Sequence, residues 1–139
     1  MIKHNYTYSG INTPRPPVNA FGLNYGMKNV ILDSNYFACQ IRLGYNNTPV
    51  FEASVKGNTF LGGIPPEYGF YLWGFAQADF PENTYVSGIP TAGLHCVVIP
   101  NRYEAGRAHI AIYNWDSAAT VSVNIAATGL QPGDRYELV

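Results

Sequence analysis

The chain has 139 residues and a formal net charge of -1, and 47% of its residues are hydrophobic whereas only 12% are charged. This composition excludes an intrinsically disordered chain, because disorder needs high charge and few aromatic residues. The eight Lys and Arg residues form no run, so we expect neither nucleic acid nor an anionic membrane as partner.

The first segment, "MIKHNYTYSG", lacks the apolar stretch and the small-residue cleavage site of a signal peptide. If the protein is exported, we therefore expect its leader upstream of this sequence. The Pro-rich stretch 12–22 follows and predicts a loop that leaves the strands and returns to them. Because such loops often carry binding residues, Arg15 and Asn19 are candidate ligand contacts.

An asparagine motif recurs along the first two thirds of the chain. Asn5 opens "NYTYSG", Asn35 opens "NYFACQ", Asn58 opens "NTFLGG" and Asn83 opens "NTYVSG", at gaps of 30, 23 and 25 residues. A period in the twenties is typical of stacked coils, with one bend at the same place in every coil. Asn tolerates the left-handed backbone region, and amides stacked about 4.8 Å apart would form a hydrogen-bonded ladder.

A second motif keeps phase with the first. "FGLNYG", "IRLGYN" and "FYLWGF" each place a leucine at their third position, at Leu23, Leu43 and Leu72. Each unit therefore reads as strand, turn, strand, and we expect the aromatic residue two positions after each later Asn to stack on its equivalents. The alternative is that N-x-[FY] marks turns in an ordinary antiparallel β protein.

The spacing of apolar residues has a period of two, which predicts strands. In "NVILDSNYF", Val30 and Leu32 point one way and Ile31 and Asp33 the other. The pattern predicts an all-β fold: a short right-handed parallel β-helix of three to four coils over residues 1–93, then an antiparallel hairpin or meander over 94–139.

The C-terminal part lacks the asparagine motif. "AHIAIYNW" (108–115) and "ATVSVNIA" (119–126) alternate strictly and are separated by "DSA", which predicts that they pair as an antiparallel hairpin. A Pro-Gly-Asp turn and a third strand, "YELV", are expected to follow. We expect this meander to cap or follow the coils.

The strings "NVILDSNYF", "ASVKGNTFLGG" and "DFPENTYVSG" resemble the repeats of bacterial right-handed parallel β-helix proteins, the superfold of the pectate lyases. The end of the chain resembles the β-rich tail of many secreted glycoside-processing enzymes. The resemblance implies an extracellular or cell-surface location and a polysaccharide partner. This superfold hosts lyases, hydrolases, adhesins and phage spikes, so it implies no single activity.

The chain also departs from that family, whose members have more coils and an N-terminal cap. We interpret the chain as a piece of a larger protein or a short relative of one. An uncapped first coil predicts exposed strand edges and self-association through them.

Lyases of this superfold use clustered carboxylates that hold calcium, with an Arg or Lys as base. The candidate carboxylates are Asp33, Glu52 and Asp79, and the candidate bases are Arg42 and Lys56. The simpler interpretation is a solvated face of alternating charge. The three histidines are scattered and no nucleophile motif is present. We therefore predict no catalytic residue, metal site or cofactor in this segment.

The richest aromatic stretch is "EYGFYLWGF", in which Tyr71, Trp73 and Phe75 would share one face of a strand. Flat aromatic surfaces stack on the apolar faces of sugar rings, so these residues, with Arg15 and Arg42, are the candidate ligand contacts. The alternative is that the aromatic row belongs to the core.

Trp115 is open to two interpretations, as the anchor of a turn or as a ligand contact. Cys39 and Cys96 are interpreted as buried free thiols, with a disulfide as the alternative. Arg102, Glu104 and Arg107 are expected to pair locally.

Three functions remain open. The first is a scaffold or carbohydrate-binding segment of an exported polysaccharide-associated β-helix protein. The second is a purely structural or adhesive solenoid segment of a spike or surface fibre. The third is a fragment of a polysaccharide lyase or hydrolase.

Overall fold

The computed structural model describes residues 1–8, 21–23, 27–38, 41–43, 52–61, 70–72, 77–86 and 90–139. For residues 8, 21–23, 42 and 70–72 it gives the backbone alone. The chain divides into two compact units, Met1–Ile89 and Pro90–Val139, whereas the sequence placed the boundary after residue 93. The described residues form strands and two 3-10 turns but no α-helix, which confirms the predicted all-β class.

Unit 1 is built from very short strands. The described ones are β1 Ile2–Lys3, β2 Tyr6–Tyr8, β3 Phe21–Leu23, β4 Ile31–Asp33, β5 Tyr36–Ala38, β6 Ile41–Leu43, β7 Ser54–Lys56, β8 Thr59–Leu61, β9 Phe70–Leu72 and β10 Thr84–Val86, with a 3-10 turn at Gln77–Asp79. They form three parallel sheets: sheet A in the order β1-β4-β7, sheet B in the order β10-β8-β5-β2, and sheet C in the order β3-β6-β9. The alternative of an antiparallel protein therefore does not hold for this unit.

The chain visits the three sheets in a repeating order, A then B then C. We call each such visit a pass: β1 to β3 are pass 1, β4 to β6 pass 2, β7 to β9 pass 3, and the 3-10 turn with β10 pass 4. Equivalent residues of successive passes are paired. In sheet C, Leu23 is in register with Leu43 and Leu43 with Leu72, which confirms the phase of the predicted leucine motif.

The core of unit 1 combines residues from all three sheets. Alternation along β4 is as predicted, because Leu32 is fully buried while Ile31 and Asp33 are half-buried. One cluster holds most of the buried side chains: Val30, Leu32, Phe37, Ile41, Leu43, Val55, Phe60 and Phe80. Complete burial of a side chain such as Leu32 contributes about 1.5–3 kcal/mol, so this cluster is the main source of stability in the unit.

The bend between sheets A and B differs from the sequence prediction. The left-handed residue is not the asparagine but the residue immediately before it: His4 with φ 52°, Ser34 with φ 56° and Gly57 with φ 65°. Asn29 and Glu52 adopt the same conformation at the equivalent positions before sheet A, with φ 54° each. The asparagines do not need this conformation, because their side chains bond across the bend instead.

Unit 2 contains one antiparallel pair, β11 Leu94–Pro100 and β12 Ala108–Asn114, joined over seven register positions, and a 3-10 turn at Ala126–Thr128. The predicted antiparallel hairpin is thus present. Its pairing was wrong, however, because β12 pairs with the strand before it and not with residues 119–126, which form no strand. The predicted third strand at the end of the chain is also absent, since residues 129–139 form turns and irregular structure.

A tight turn follows β12. The Asn114 side chain donates to the carbonyl of Ala118 at 2.7 Å and accepts from the Ala118 N–H at 3.1 Å, and Ser117 has φ 53°. These bonds fix a turn that ends at Ala118, directly before residues 119–126. The strand that pairs with β12 is β11.

Candidate functional site

The four recurring asparagines are joined by hydrogen bonds into one ladder along sheet B. The side-chain oxygen Oδ1 of each later asparagine accepts two hydrogen bonds from the asparagine of the preceding pass. Asn35 Oδ1 accepts from the Asn5 N–H at 2.9 Å and from Asn5 Nδ2 at 3.0 Å. Asn58 Oδ1 accepts from the Asn35 N–H at 3.0 Å and Nδ2 at 2.8 Å.

The same arrangement recurs at Asn83, whose Oδ1 accepts from the Asn58 N–H at 3.0 Å and Nδ2 at 2.9 Å. The amide nitrogens also donate to carbonyls of sheet A, because Asn58 Nδ2 donates to Leu32 of the preceding pass at 3.0 Å and to Lys56 of its own pass at 2.9 Å. The ladder therefore connects successive passes and closes each bend at the same time.

Burial of the ladder changes along its length. Asn35 and Asn58 are 2% and 1% exposed, Asn83 is half-buried and Asn5 is exposed. A buried amide without partners is destabilising, so the completeness of the bonding at Asn35 and Asn58 is what makes their burial tolerable. The ladder has an inner part that holds the fold and two ends that reach the surface.

A row of aromatic rings runs beside the ladder, as the sequence predicted. Phe37 and Phe60 stack with centroids 5.4 Å apart, and Phe60 and Tyr85 with centroids 5.5 Å apart, both at an interplanar angle of 18°. Burial raises the pKa of the Tyr85 hydroxyl. That hydroxyl donates to the Phe80 carbonyl at 3.2 Å, which joins the end of the row to the bend before β10.

A row of alternating charges lies at the end of each strand of sheet A. Lys3 is in register with Asp33, and Asp33 with Lys56. Glu82 occupies the equivalent place in pass 4, because its carbonyl accepts from the Gly57 N–H just as the Lys56 carbonyl accepts from Ser34. We call Lys3, Asp33, Lys56 and Glu82 the charge row.

One ion pair of this row has formed, with Lys3 Nζ 2.7 Å from Asp33 Oδ2. The hydrogen bond from Lys3 holds the pKa of the Asp33 carboxyl below its usual value, and a second bond from Ser34 adds to this effect. The position of these groups fits the solvated face of alternating charge rather than a catalytic centre.

The carboxylates proposed for lyase chemistry do not come together. Asp33 belongs to β4, Glu52 precedes sheet A of the next pass, and Asp79 ends the 3-10 turn. Within the described ranges, no three His, Cys, Asp or Glu side chains form a group suited to a metal ion.

Four of the predicted ligand contacts lie outside the described residues: Arg15, Asn19, Trp73 and Phe75. The other two, Arg42 and Tyr71, lie on β6 and β9 of sheet C and are direct register partners. The register therefore places a cationic residue and an aromatic residue at one position of the same sheet, although they are 29 residues apart in the sequence. The leucine motif implied this register, because Arg42 and Tyr71 directly precede the motif leucines Leu43 and Leu72.

In unit 2, Trp115 follows β12 and anchors a turn. Its N–H donates to the Gly93 carbonyl at 3.0 Å, and the Gly93 N–H donates to the Asp116 carboxylate at 2.7 Å. The Trp115 ring stacks on Tyr113 with centroids 5.8 Å apart, and Tyr113 lies 6.0 Å from the His95 ring. Of the two interpretations of Trp115, the geometry favours the anchor of a turn.

The sequence also predicted free thiols at the two cysteines and local ion pairing in unit 2. Cys96 is a free, half-buried thiol, and Cys39 lies outside the described residues. Arg107 pairs with Glu104 at 3.0 Å, which confirms the expected local ion pair.

A cavity of about 340 Å³ lies between β12 and the C-terminal segment. Most of its lining residues are apolar, among them Ile110, Val121, Val123 and Leu130, and Glu137 also lines it. The alternation of residues 121–125 had predicted a strand. These residues instead use their alternate side chains to line the cavity without joining a sheet.

Searches of the whole chain against models of protein families, against curated proteins and against solved structures find no match. In the part of the chain that the structure describes, no helix has the length and apolar character needed to cross a membrane.

Proposed function

We propose that unit 1 is a short right-handed parallel β-helix and that it serves as a scaffold with a carbohydrate-binding surface in an exported, polysaccharide-associated protein. The repeated visiting order of sheets A, B and C and the parallel register within each sheet support the β-helix. A right-handed sense is the one that parallel crossovers adopt in nearly all proteins.

The observation that carries the binding proposal is the register of Arg42 with Tyr71 in sheet C. An aromatic ring stacks on the apolar face of a sugar, and a guanidinium donates several hydrogen bonds to sugar hydroxyls or carboxylates. The two residue types complement each other within one sheet position, and Trp73 follows β9 directly in the sequence. A neutral or anionic polysaccharide is the ligand class that this combination fits.

The sharpest test is binding of the intact chain to a panel of immobilised polysaccharides. We expect Tyr71→Ala and Trp73→Ala to reduce retention on the bound polysaccharide by about tenfold or more, which corresponds to the loss of a stacking contact of about 1.4 kcal/mol. Ser54→Ala is the matched control, because Ser54 is exposed on β7 in a different sheet. Absence of binding to any polysaccharide by folded protein would refute the binding surface.

A purely structural role, as in a spike or surface fibre, is the second candidate. The buried amide ladder favours it, because fully bonded Asn35 and Asn58 stiffen successive passes irrespective of any ligand. Folded protein that binds no polysaccharide yet resists unfolding and proteolysis would support this second role. The extracellular or cell-surface location belongs to both proposals, and fractionation of producing cells would test it.

A further inference from the structure

The amide ladder has a direction. In every step the asparagine nearer the N-terminus donates, through both its N–H and its Nδ2, and the next asparagine accepts through Oδ1. Consequently the two ends are different. In the described part of the chain, no donor reaches Asn5 Oδ1 and no acceptor receives the Asn83 N–H.

The charge row has a direction as well. Its signs run positive, negative, positive, negative from Lys3 to Glu82, so the Asn5 end carries a cation and the Asn83 end an anion. Within the described residues, Lys3 pairs with Asp33, whereas Glu82 has no ion pair. Both Lys3 and Glu82 are exposed.

Among the described strands, those beside the two ends of the ladder stand last in the order of sheet B: β2 next to Asn5 and β10 next to Asn83. An edge strand is a template for a further strand about 4.8 Å away. Within the molecule, each of the first three passes is covered by the next pass through the same amide contact. A further pass is therefore the partner that fits such an edge.

We propose that this protein associates head to tail with a second copy of itself, the Asn83 end of one molecule covering the Asn5 end of the next. In this arrangement the Asn83 N–H donates to Asn5 Oδ1 of the neighbour, and Glu82 pairs with the neighbour's Lys3. Both the ladder and the alternation of the charge row continue across the junction. The proposal goes beyond polysaccharide binding and does not depend on it.

A head-to-head arrangement is disfavoured by the same groups. It would oppose two Asn5 acceptor oxygens and two Lys3 ammonium groups, and like charges that face each other across strands are destabilising. Head-to-tail contacts are heterologous, so every assembly keeps one free Asn5 end and one free Asn83 end. The assemblies therefore grow with protein concentration instead of closing at a dimer.

Sedimentation velocity of the full chain tests the proposal over a roughly hundredfold range of concentration, because association follows mass action. We expect the average mass to rise continuously past that of a dimer. Lys3→Glu and Glu82→Lys should each weaken self-association about tenfold, the effect expected for loss or reversal of one ion pair at a junction. An equimolar mixture of the two variants should recover growth past a dimer with the two variants alternating, because one variant then carries an anion at both ends and the other a cation at both ends. A strictly monomeric chain, or a closed dimer unaffected by either variant, would overturn the proposal.

A pair of substitutions at Asn5 separates the junction from general stability. Asn5→Asp and Asn5→Leu both remove the internal Nδ2 donor to Asn35, but only Asn5→Leu removes the outward acceptor oxygen. We expect association to persist in Asn5→Asp and to be lost in Asn5→Leu, with both proteins folded by circular dichroism. Equal association of the two variants would refute the amide contact.

Discussion

Asn58 donates twice to one oxygen, since its N–H lies 3.0 Å and its Nδ2 lies 2.9 Å from Asn83 Oδ1. The main chain and the side chain of one residue are thus tied to the same atom in the next pass. This paired contact fixes the spacing of the passes and the orientation of the amide together, which a single hydrogen bond would not do.

Replacement of Asn58 should be strongly destabilising. Asn58→Leu would remove the amide donor to the Leu32 and Lys56 carbonyls and the acceptor of the Asn35 N–H at a site that is 1% exposed. We expect the free energy of unfolding to fall by about 3 kcal/mol, the range for buried polar groups that lose their hydrogen bonds. Urea denaturation followed by circular dichroism measures this value.

Asn5→Leu is the matched control within the same ladder. Asn5 is exposed, so water can replace its side-chain contacts, and we expect a loss below about 1 kcal/mol. Equal losses at the two positions would show that the buried ladder does not stabilise the fold.

The aromatic row should show coupling between neighbours. Phe60 stacks on both Phe37 and Tyr85 and is 2% exposed, so Phe60→Leu should lower the free energy of unfolding by about 1–2 kcal/mol. A double-mutant cycle with Phe37→Leu should give a coupling energy of about 0.5–1.5 kcal/mol. Additivity in this cycle would contradict stacking as a stabilising contact.

Gly57 should resist substitution more than other glycines. Its φ is 65°, and a Cβ at this position would lie 3.3 Å from Ser34 Oγ. Gly57→Ala is therefore expected to lower the free energy of unfolding by about 1–2 kcal/mol, the cost of the left-handed conformation. Gly106 has φ 80° with open space around its Cβ, so the difference between the Gly57→Ala and Gly106→Ala losses isolates the contact with Ser34.

Acid should destabilise unit 2 through His95. Burial lowers the pKa of the His95 imidazole, so the folded state favours the neutral ring. Between the depressed folded pKa and the unfolded value of about 6.5, the unfolded chain binds more protons, and stability falls as the pH decreases through that window. Above it the contribution of His95 is constant.

Thermal melts of the wild type and of His95→Phe at several pH values measure this effect. The wild type should lose stability relative to the variant as the pH falls below about 6.5. Parallel pH profiles of the two proteins would exclude His95 as the source of the loss of stability at acidic pH.

Repetition in the sequence predicted much of unit 1. The Asn and Leu motifs mark sheets B and C, and the period of two in "NVILDSNYF" marks the buried side of sheet A. These features were predictable because the same residue type must recur wherever passes are stacked in register. The left-handed bends were not, since His4, Ser34 and Gly57 satisfy one backbone requirement with three different residue types.

Unit 2 shows where local pattern fails. Alternation in residues 119–126 indicated a strand but carried no information on its partner, and the Asn114 turn directs the chain elsewhere. The pairing of Arg42 with Tyr71, by contrast, follows from the leucine motif, because each residue stands one position before a leucine that the motif aligns.

The amide ladder and the charge row repeat at different intervals. The amide contacts are the same in every pass. The charge row alternates in sign from pass to pass, so the same charge recurs only after two passes: Lys3, Asp33, Lys56 and Glu82. Gain or loss of a single pass by duplication or deletion would preserve the amide contacts and yet bring two like charges side by side. The smallest insertion that keeps both patterns intact is therefore a pair of passes, so lengthening of this architecture is expected to proceed in steps of two.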